Sequence, residues 1–143
     1  MHSYNTKDWD RLKKCLAPSI CLDFSVAQSD GIKHNNLSPA DYIVVLRKAI
    51  GNKRLKTQHL LGKRKWECLS DGSVLVEHQC RAAHQLYVAN DMKEVKSIGH
   101  AHGTSHHRFR KFDGVWKLEM IQPEIVFVEG DLFGTLTEGG EAD

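Results

Sequence analysis

Nine histidines in 143 residues are the chemical oddity of this sequence. Imidazole is the side chain whose ordinary pKa lies nearest neutrality, so proton transfer and metal binding are the two chemistries to weigh. His100 and His102 form an H-x-H pair, a spacing that on a strand offers two imidazoles to one metal. No carboxylate follows where a third ligand is needed, so both are expected on an outer face, with no metal bound. His106 and His107 are neighbours on a strand, so at most one of them points inward. His59 and His84 are the informative pair: two imidazoles facing one apolar cavity make an acid/base couple near neutral pH. The alternative is that both are satisfied core residues. The four cysteines (Cys15, Cys21, Cys68, Cys80) contain no C-x-x-C and read as reduced thiols of a cytoplasmic protein. No phosphate-cradling glycine loop and no G-x-S-x-G elbow occurs.

The elements must bring such groups together. Thr6 is expected to cap a first helix carrying Asp8 and Asp10 in its first turn, stopped by Pro18. Ile20, Leu22, Phe24 and Val26 alternate with polar residues as a half-buried strand, and residues 28–37 read as loop. Ser38 and Pro39 open a second helix whose inward face is Tyr42, Val45, Leu46 and Ala49, closed by Gly51. Beyond Thr57 the period becomes two. Asp71-Gly72 and Asp113-Gly114, with a turn at Ala89-Asn90-Asp91, divide the rest into strands near 62–69, 73–88, 92–110 and 115–128. The Gly-rich stretch 130–143 is expected to be a mobile tail unless it docks.

This order predicts one α+β domain over residues 1–143: a curved antiparallel sheet wrapped around N-terminal helices into a cone-shaped barrel with an internal pocket. Parity assigns the walls. Val76, His78, Cys80, Ala82 and His84 share one face of their strand, and Ala101, Gly103 and Ser105 share one face of the next. Ile121, Pro123, Ile125 and Phe127 form an apolar wall on the last. Pro123 cannot donate to a ladder, so a bulge or an edge is expected near it. The charge is balanced, 20 basic against 18 acidic residues, which argues against a nucleic-acid partner. No apolar run approaches the roughly 20 residues of a membrane helix, no signal peptide opens the sequence, and no membrane partner is expected.

Residues 4–12 (YNTKDWDRL), 57–59 (TQH), 66–67 (WE), 84–87 (HQLY), 92–95 (MKEV), 99–102 (GHAH) and 113–117 (DGVWK) resemble scytalone dehydratase over nearly the whole chain, about 4–127. That fungal enzyme removes water from a cyclic hydroxy-ketone on the route to naphthalenediol melanin. The resemblance implies the cone fold shared with nuclear transport factor two, ketosteroid isomerase and SnoaL-like proteins. It also implies no cofactor, a homotrimer, and a small cyclic or aromatic substrate. The two family histidines correspond to His59 and His84, and one of two carbonyl-orienting tyrosines to Tyr4. The other tyrosine is replaced by Phe24, and the aspartate supporting the second histidine by Asn5. The site's serine and asparagine become Gly103 and Ser105, and a bulkier aliphatic residue becomes Ala82.

Asn5 offers no charge to an imidazolium and can select the other tautomer. Ala82 and Gly103 are expected to leave room for a larger substrate. The implied site is therefore catalytic His59, His84, Tyr4 and Asn5. Phe24, Cys80, Ala82, Gly103, Ser105, Ile121, Pro123, Ile125 and Phe127 would contact the substrate, with Ser105 on one of its hydroxyls. The leading reading is a diverged lyase acting on a polyketide-type intermediate in fungal secondary metabolism. An isomerase, decarboxylase or cyclase in the same pocket, or a non-catalytic binding module, are the alternatives.

Overall fold

The computed structural model describes residues 1–27 and 31–140. Its elements run α1 (His2–Thr6), α2 (Trp9–Cys15), β1 (Leu16–Asp23), β2 (Lys33–Leu37), α3 (Pro39–Ile50), β3 (Leu55–Cys68), β4 (Val74–Tyr87), β5 (Val95–Phe112), β6 (Val115–Gly130) and α4 (Leu132–Gly139). The six strands form one sheet in the order β2-β1-β6-β5-β4-β3. All pairs are antiparallel except β1 with β6. This is the expected α+β cone, with helices against the concave face.

The expected single first helix is two. Lys7 adopts a left-handed conformation (φ 57°) that breaks the chain between α1 and α2. Thr6 does not cap α2; its hydroxyl donates to the His2 carbonyl within α1 at 3.0 Å. Asp8 is the cap instead, its carboxylate accepting from the Arg11 backbone N–H at 3.0 Å, which also suits the positive end of the helix. Pro18 lies in β1, in the stretch between Leu16 and Cys21 where the ladder to β6 shifts register. A residue without an N–H is tolerated there because Pro18 has no partner in the ladder to β6.

Part of the expected loop is strand: β2 pairs with β1 through Ile20–Leu37 and Asp23–Lys33, and residues 28–30 lie outside the described residues. Its polar side chains alternate with nothing apolar, so periodicity carried no signal. Helix α3 forms as expected, with the Ser38 hydroxyl accepting from Asp41 N–H at 3.1 Å and Pro39 in the first turn. Both Asp-Gly turns form, and Asp113 and Gly114 both take positive φ (50° and 78°), as a twisted two-residue hairpin requires.

The tail is the main correction. Residues 132–139 form α4, which docks with Leu132, Thr135 and Gly139 buried; residues 141–143 lie outside the described residues. Positive φ at Gly130 (68°) turns the chain off β6, and Asp131 caps the helix by accepting from Gly134 N–H at 3.0 Å. Gly99 permits the docking: a Cβ there would stand 2.3 Å from the Leu132 Cα. The core joins Tyr4, Leu12, Ile20, Leu22, Tyr42 and Leu86 with their neighbours under the sheet.

Candidate active site

The concave face of the sheet and helices α1, α3 and α4 enclose a cavity of about 200 Å³. Its walls are almost wholly apolar, and its polar atoms come from few residues. His59 reaches it from β3 and His84 from β4; their ring centroids are 5.8 Å apart at 82°. Tyr4 sits edge-on to His59 at 5.6 Å. The expected histidine pair is therefore assembled, with Tyr4 beside it.

Asn5 supports His59, not His84. Its Oδ1 accepts from the His59 backbone N–H at 3.0 Å and lies 2.9 Å from His59 Nδ1. A backbone N–H only donates, so the amide oxygen faces His59, and Nδ1 must carry the ring proton. This is the tautomer a carboxylate would also select, so the expected switch of tautomer does not occur. What Asn5 withholds is charge. Burial, and then the neighbouring His84, push the His59 pKa down to about 3.

His84 is held by a residue that the sequence reading overlooked. Thr57 Oγ1 lies 3.1 Å from His84 Nδ1. Strand parity gave the available signal, because Thr57 and His59 are two apart on β3 and share a face. Burial, then His100 and Lys7, lower the His84 pKa to about 4. Both rings are thus neutral at physiological pH.

Phe24, Cys80, Ala82, Gly103, Ser105, Ile121, Pro123 and Ile125 all line the cavity. Phe127 does not. Gly103 pairs with Ile125 while His102 pairs with Phe127, so Val126 is an extra residue that reverses the parity of β6. Phe127 therefore points outward, 53% exposed, with its ring stacked on His102 at 4.4 Å. The irregularity expected near Pro123 is this bulge. Pro123 also lies past Ile121, the last residue of β6 paired with β1.

Ala82 and Ala101 are register partners, and their small side chains set the width of the cavity. Gly103 acts differently: a Cβ there would meet the Glu124 carbonyl oxygen at 1.8 Å. Its missing side chain is filled by β6 backbone and adds no room for substrate, contrary to expectation. Gly103→Ala should therefore cost about 1–3 kcal/mol of stability, read as a lower midpoint in urea. Unchanged stability would mean that β6 yields freely at the bulge.

The outer histidines fall as parity required. His102 Nε2 lies 2.9 Å from Glu129 and His106 Nε2 lies 3.4 Å from Glu77. Among the described residues, no three His, Cys, Asp or Glu side chains converge as a metal site. His107 faces inward, buried, with its Nε2 3.0 Å from Ser105 Oγ and its ring 4.9 Å from that of His78. Helix α4 adds Leu132, Phe133 and Leu136 to the cavity wall, residues that the glycine-rich composition of the tail concealed.

The family profile for scytalone dehydratase matches residues 1–142. Scytalone dehydratase arp1 of Aspergillus fumigatus is 41% identical over 125 residues, covering 86% of this chain and 73% of that protein. Scytalone dehydratase of Pyricularia oryzae is 38% identical over 142 residues, with 97% and 81% covered. A dehydratase of Pestalotiopsis microspora, GME11372, is 42% identical over 138 residues, with 92% and 85% covered. Among solved structures, the Kfla4162 protein of Kribbella flavida superposes with a TM-score of 0.72 at 18% identity, covering 89% of this chain and 83% of that one. Hexachlorocyclohexane dehydrochlorinase LinA-type3 of Novosphingobium barchaimii superposes at 0.68 and 12% identity, with 90% and 80% covered. These two show the shared fold. By profile and by identity, this chain belongs to the scytalone dehydratase family of carbon–oxygen lyases.

Proposed function

We propose that the protein is a cofactor-independent lyase that eliminates water from a cyclic or aromatic hydroxy-ketone of polyketide type in fungal secondary metabolism. The observation that carries this reading is the fixed tautomer of His59. With Nδ1–H committed to Asn5, the Nε2 lone pair is left for the cavity, and burial keeps the ring neutral. His59 Nε2 takes the proton next to the substrate carbonyl. Tyr4 donates its O–H to the carbonyl oxygen and holds the developing enolate, a contribution commonly worth a few kcal/mol.

Thr57, donating to His84 Nδ1, leaves Nε2–H to hydrogen-bond the departing hydroxyl. The C–H and C–O bonds break, a C=C bond forms, and the proton from His59 completes the water. Asn5 acts by orienting His59, and Ser105 holds a substrate hydroxyl. Phe24, Cys80, Ala82, Ile121, Pro123 and Ile125 contact the ring system. The apolar walls suit such a ring, and a neutral imidazole is the form that can accept the substrate proton.

The test is incubation with scytalone in D2O, followed by mass and NMR for deuterium at the carbon next to the carbonyl and for loss of water. Exchange is expected, with slow water loss, because Asn5 cannot stabilise an imidazolium and Phe24 has no hydroxyl. Asn5→Asp with Phe24→Tyr should raise the dehydration rate at least about tenfold. Absence of exchange would end this reading. Efficient dehydration by the unaltered protein would show that neither missing group matters.

The proposal extends to a cytoplasmic homotrimer. The four cysteines are free thiols, as a reducing compartment allows, and no helix among the described residues is long and apolar enough to cross a membrane. Leu60, Val126 and Phe127 are 51–68% exposed and offer apolar area on the outer face for another subunit. Light scattering should give three times the chain mass.

A further inference from the structure

We infer that Tyr42 is a positioning residue of the active site, acting through Tyr4 and restoring from α3 the second phenol that Phe24 does not supply. The inference rests on the reading of Tyr4 as the group that holds the substrate carbonyl.

Phe24 lines the cavity with a ring but no hydroxyl. Tyr42 lines the same cavity from the inward face of α3, fully buried. Its hydroxyl stands 2.5 Å from that of Tyr4, at the short limit for O–H···O contacts. Two phenols in such contact have a choice of donor, and substrate removes it. Tyr4 has one hydrogen. Once that hydrogen is given to a carbonyl oxygen, the Tyr4 oxygen can only accept, and Tyr42 must donate. Negative charge arriving on the carbonyl oxygen draws the Tyr4 proton outward, and the hydrogen bond from Tyr42 to the Tyr4 oxygen shortens behind it. Such chains strengthen cooperatively in a dry interior.

The two phenols are already unequal in this sense. Burial raises both pKa values, but the contact works to lower that of Tyr4 and to raise that of Tyr42. Helix α3 sets the geometry: the Ser38 cap and Pro39 start it, and one turn later Tyr42 N–H donates to the Ser38 carbonyl at 2.9 Å. The phenol is therefore presented from a fixed first turn.

The probe is 2-naphthol, a bicyclic hydroxyarene whose bound anion mimics an enolate oxygen and whose ionisation is read by absorbance. It is titrated with pH on the intact protein and on Tyr4→Phe, Tyr42→Phe and the double variant. Each is checked for native near-UV circular dichroism, and removal of one oxygen atom preserves the ring packing. Tyr42→Phe is expected to raise the ionisation midpoint of bound naphthol by about one pH unit, a tenfold loss of anion preference. Adding it to Tyr4→Phe should change nothing further.

A midpoint unmoved by Tyr42→Phe, or one moved equally in both backgrounds, overturns the inference while leaving Tyr4 in place. A midpoint unmoved by Tyr4→Phe removes the carbonyl-holding role itself, and with it the role of Tyr42. Failure of 2-naphthol to bind overturns the ring-shaped substrate class on which both depend. Loss of native dichroism in Tyr42→Phe alone marks the hydroxyl as structural and also overturns the inference.

Discussion

His59→Asn is expected to lower deuterium exchange into scytalone by about 10²–10⁴-fold while leaving the fold intact, because it removes the general base. His59 is only half-buried and belongs to the site more than to the core, so its replacement should spare stability. His84→Asn should spare the exchange step more than water loss, since it acts on the departing hydroxyl. Thr57→Val should fall between this variant and the native protein, about tenfold down in dehydration, because His84 then loses the hydrogen bond that orients its ring. The order is specific to the assignment. Exchange that survives His59→Asn but disappears in His84→Asn would reverse the roles of the two rings.

Acid should begin to destabilise this protein well before its carboxylates titrate. His84 and His107 are each 4% exposed, and burial holds both pKa values near 4, against an ordinary value of 6.5. In the unfolded chain each takes its proton as pH falls through about 6.5, whereas in the folded chain each resists until about 4. Between those values the unfolded state binds more protons, so stability falls as pH falls. Each ring contributes on the order of 3 kcal/mol at neutral pH, lost progressively across that window. His59 adds to the same trend, its window extending down to about 3. Two such losses rival the whole stability of a domain of this size.

Urea titrations at pH 7, 6, 5 and 4 should show the midpoint falling steadily, with unfolding in buffer alone by the last. His107→Gln, outside the proposed reacting groups, should flatten part of this slope. A midpoint constant from pH 7 to pH 4 would show that these imidazoles are solvated, and the dry cavity would have to be abandoned with them.

Strand periodicity, turn chemistry and the order of elements were enough to specify the cone. The period of two beyond Thr57 and the two Asp-Gly hairpins act locally, so the sequence declares them without help. The same parity placed His84 inside, and His100 and His102 outside, because adjacent side chains must take opposite faces. His59, ahead of the strand expected from 62, entered only as the partner of His84. Parity failed at Phe127. A bulge adds one residue to one strand, and its position depends on the backbone of the neighbouring strand: Gly103 admits the Glu124 carbonyl where any side chain would clash.

For the tail, glycine content left mobility or docking open, and docking is decided where Gly99 offers a surface on which Leu132 can settle. Chain order alone could not say which histidine Asn5 serves. Residues 54 apart meet through the docking of α1 on β3, and that docking puts the amide oxygen on the His59 backbone N–H. Residue types thus determined which chemistry was available and which faces would carry it. The tertiary structure decided the partners, because a hydrogen bond between distant residues depends on packing that no local pattern encodes.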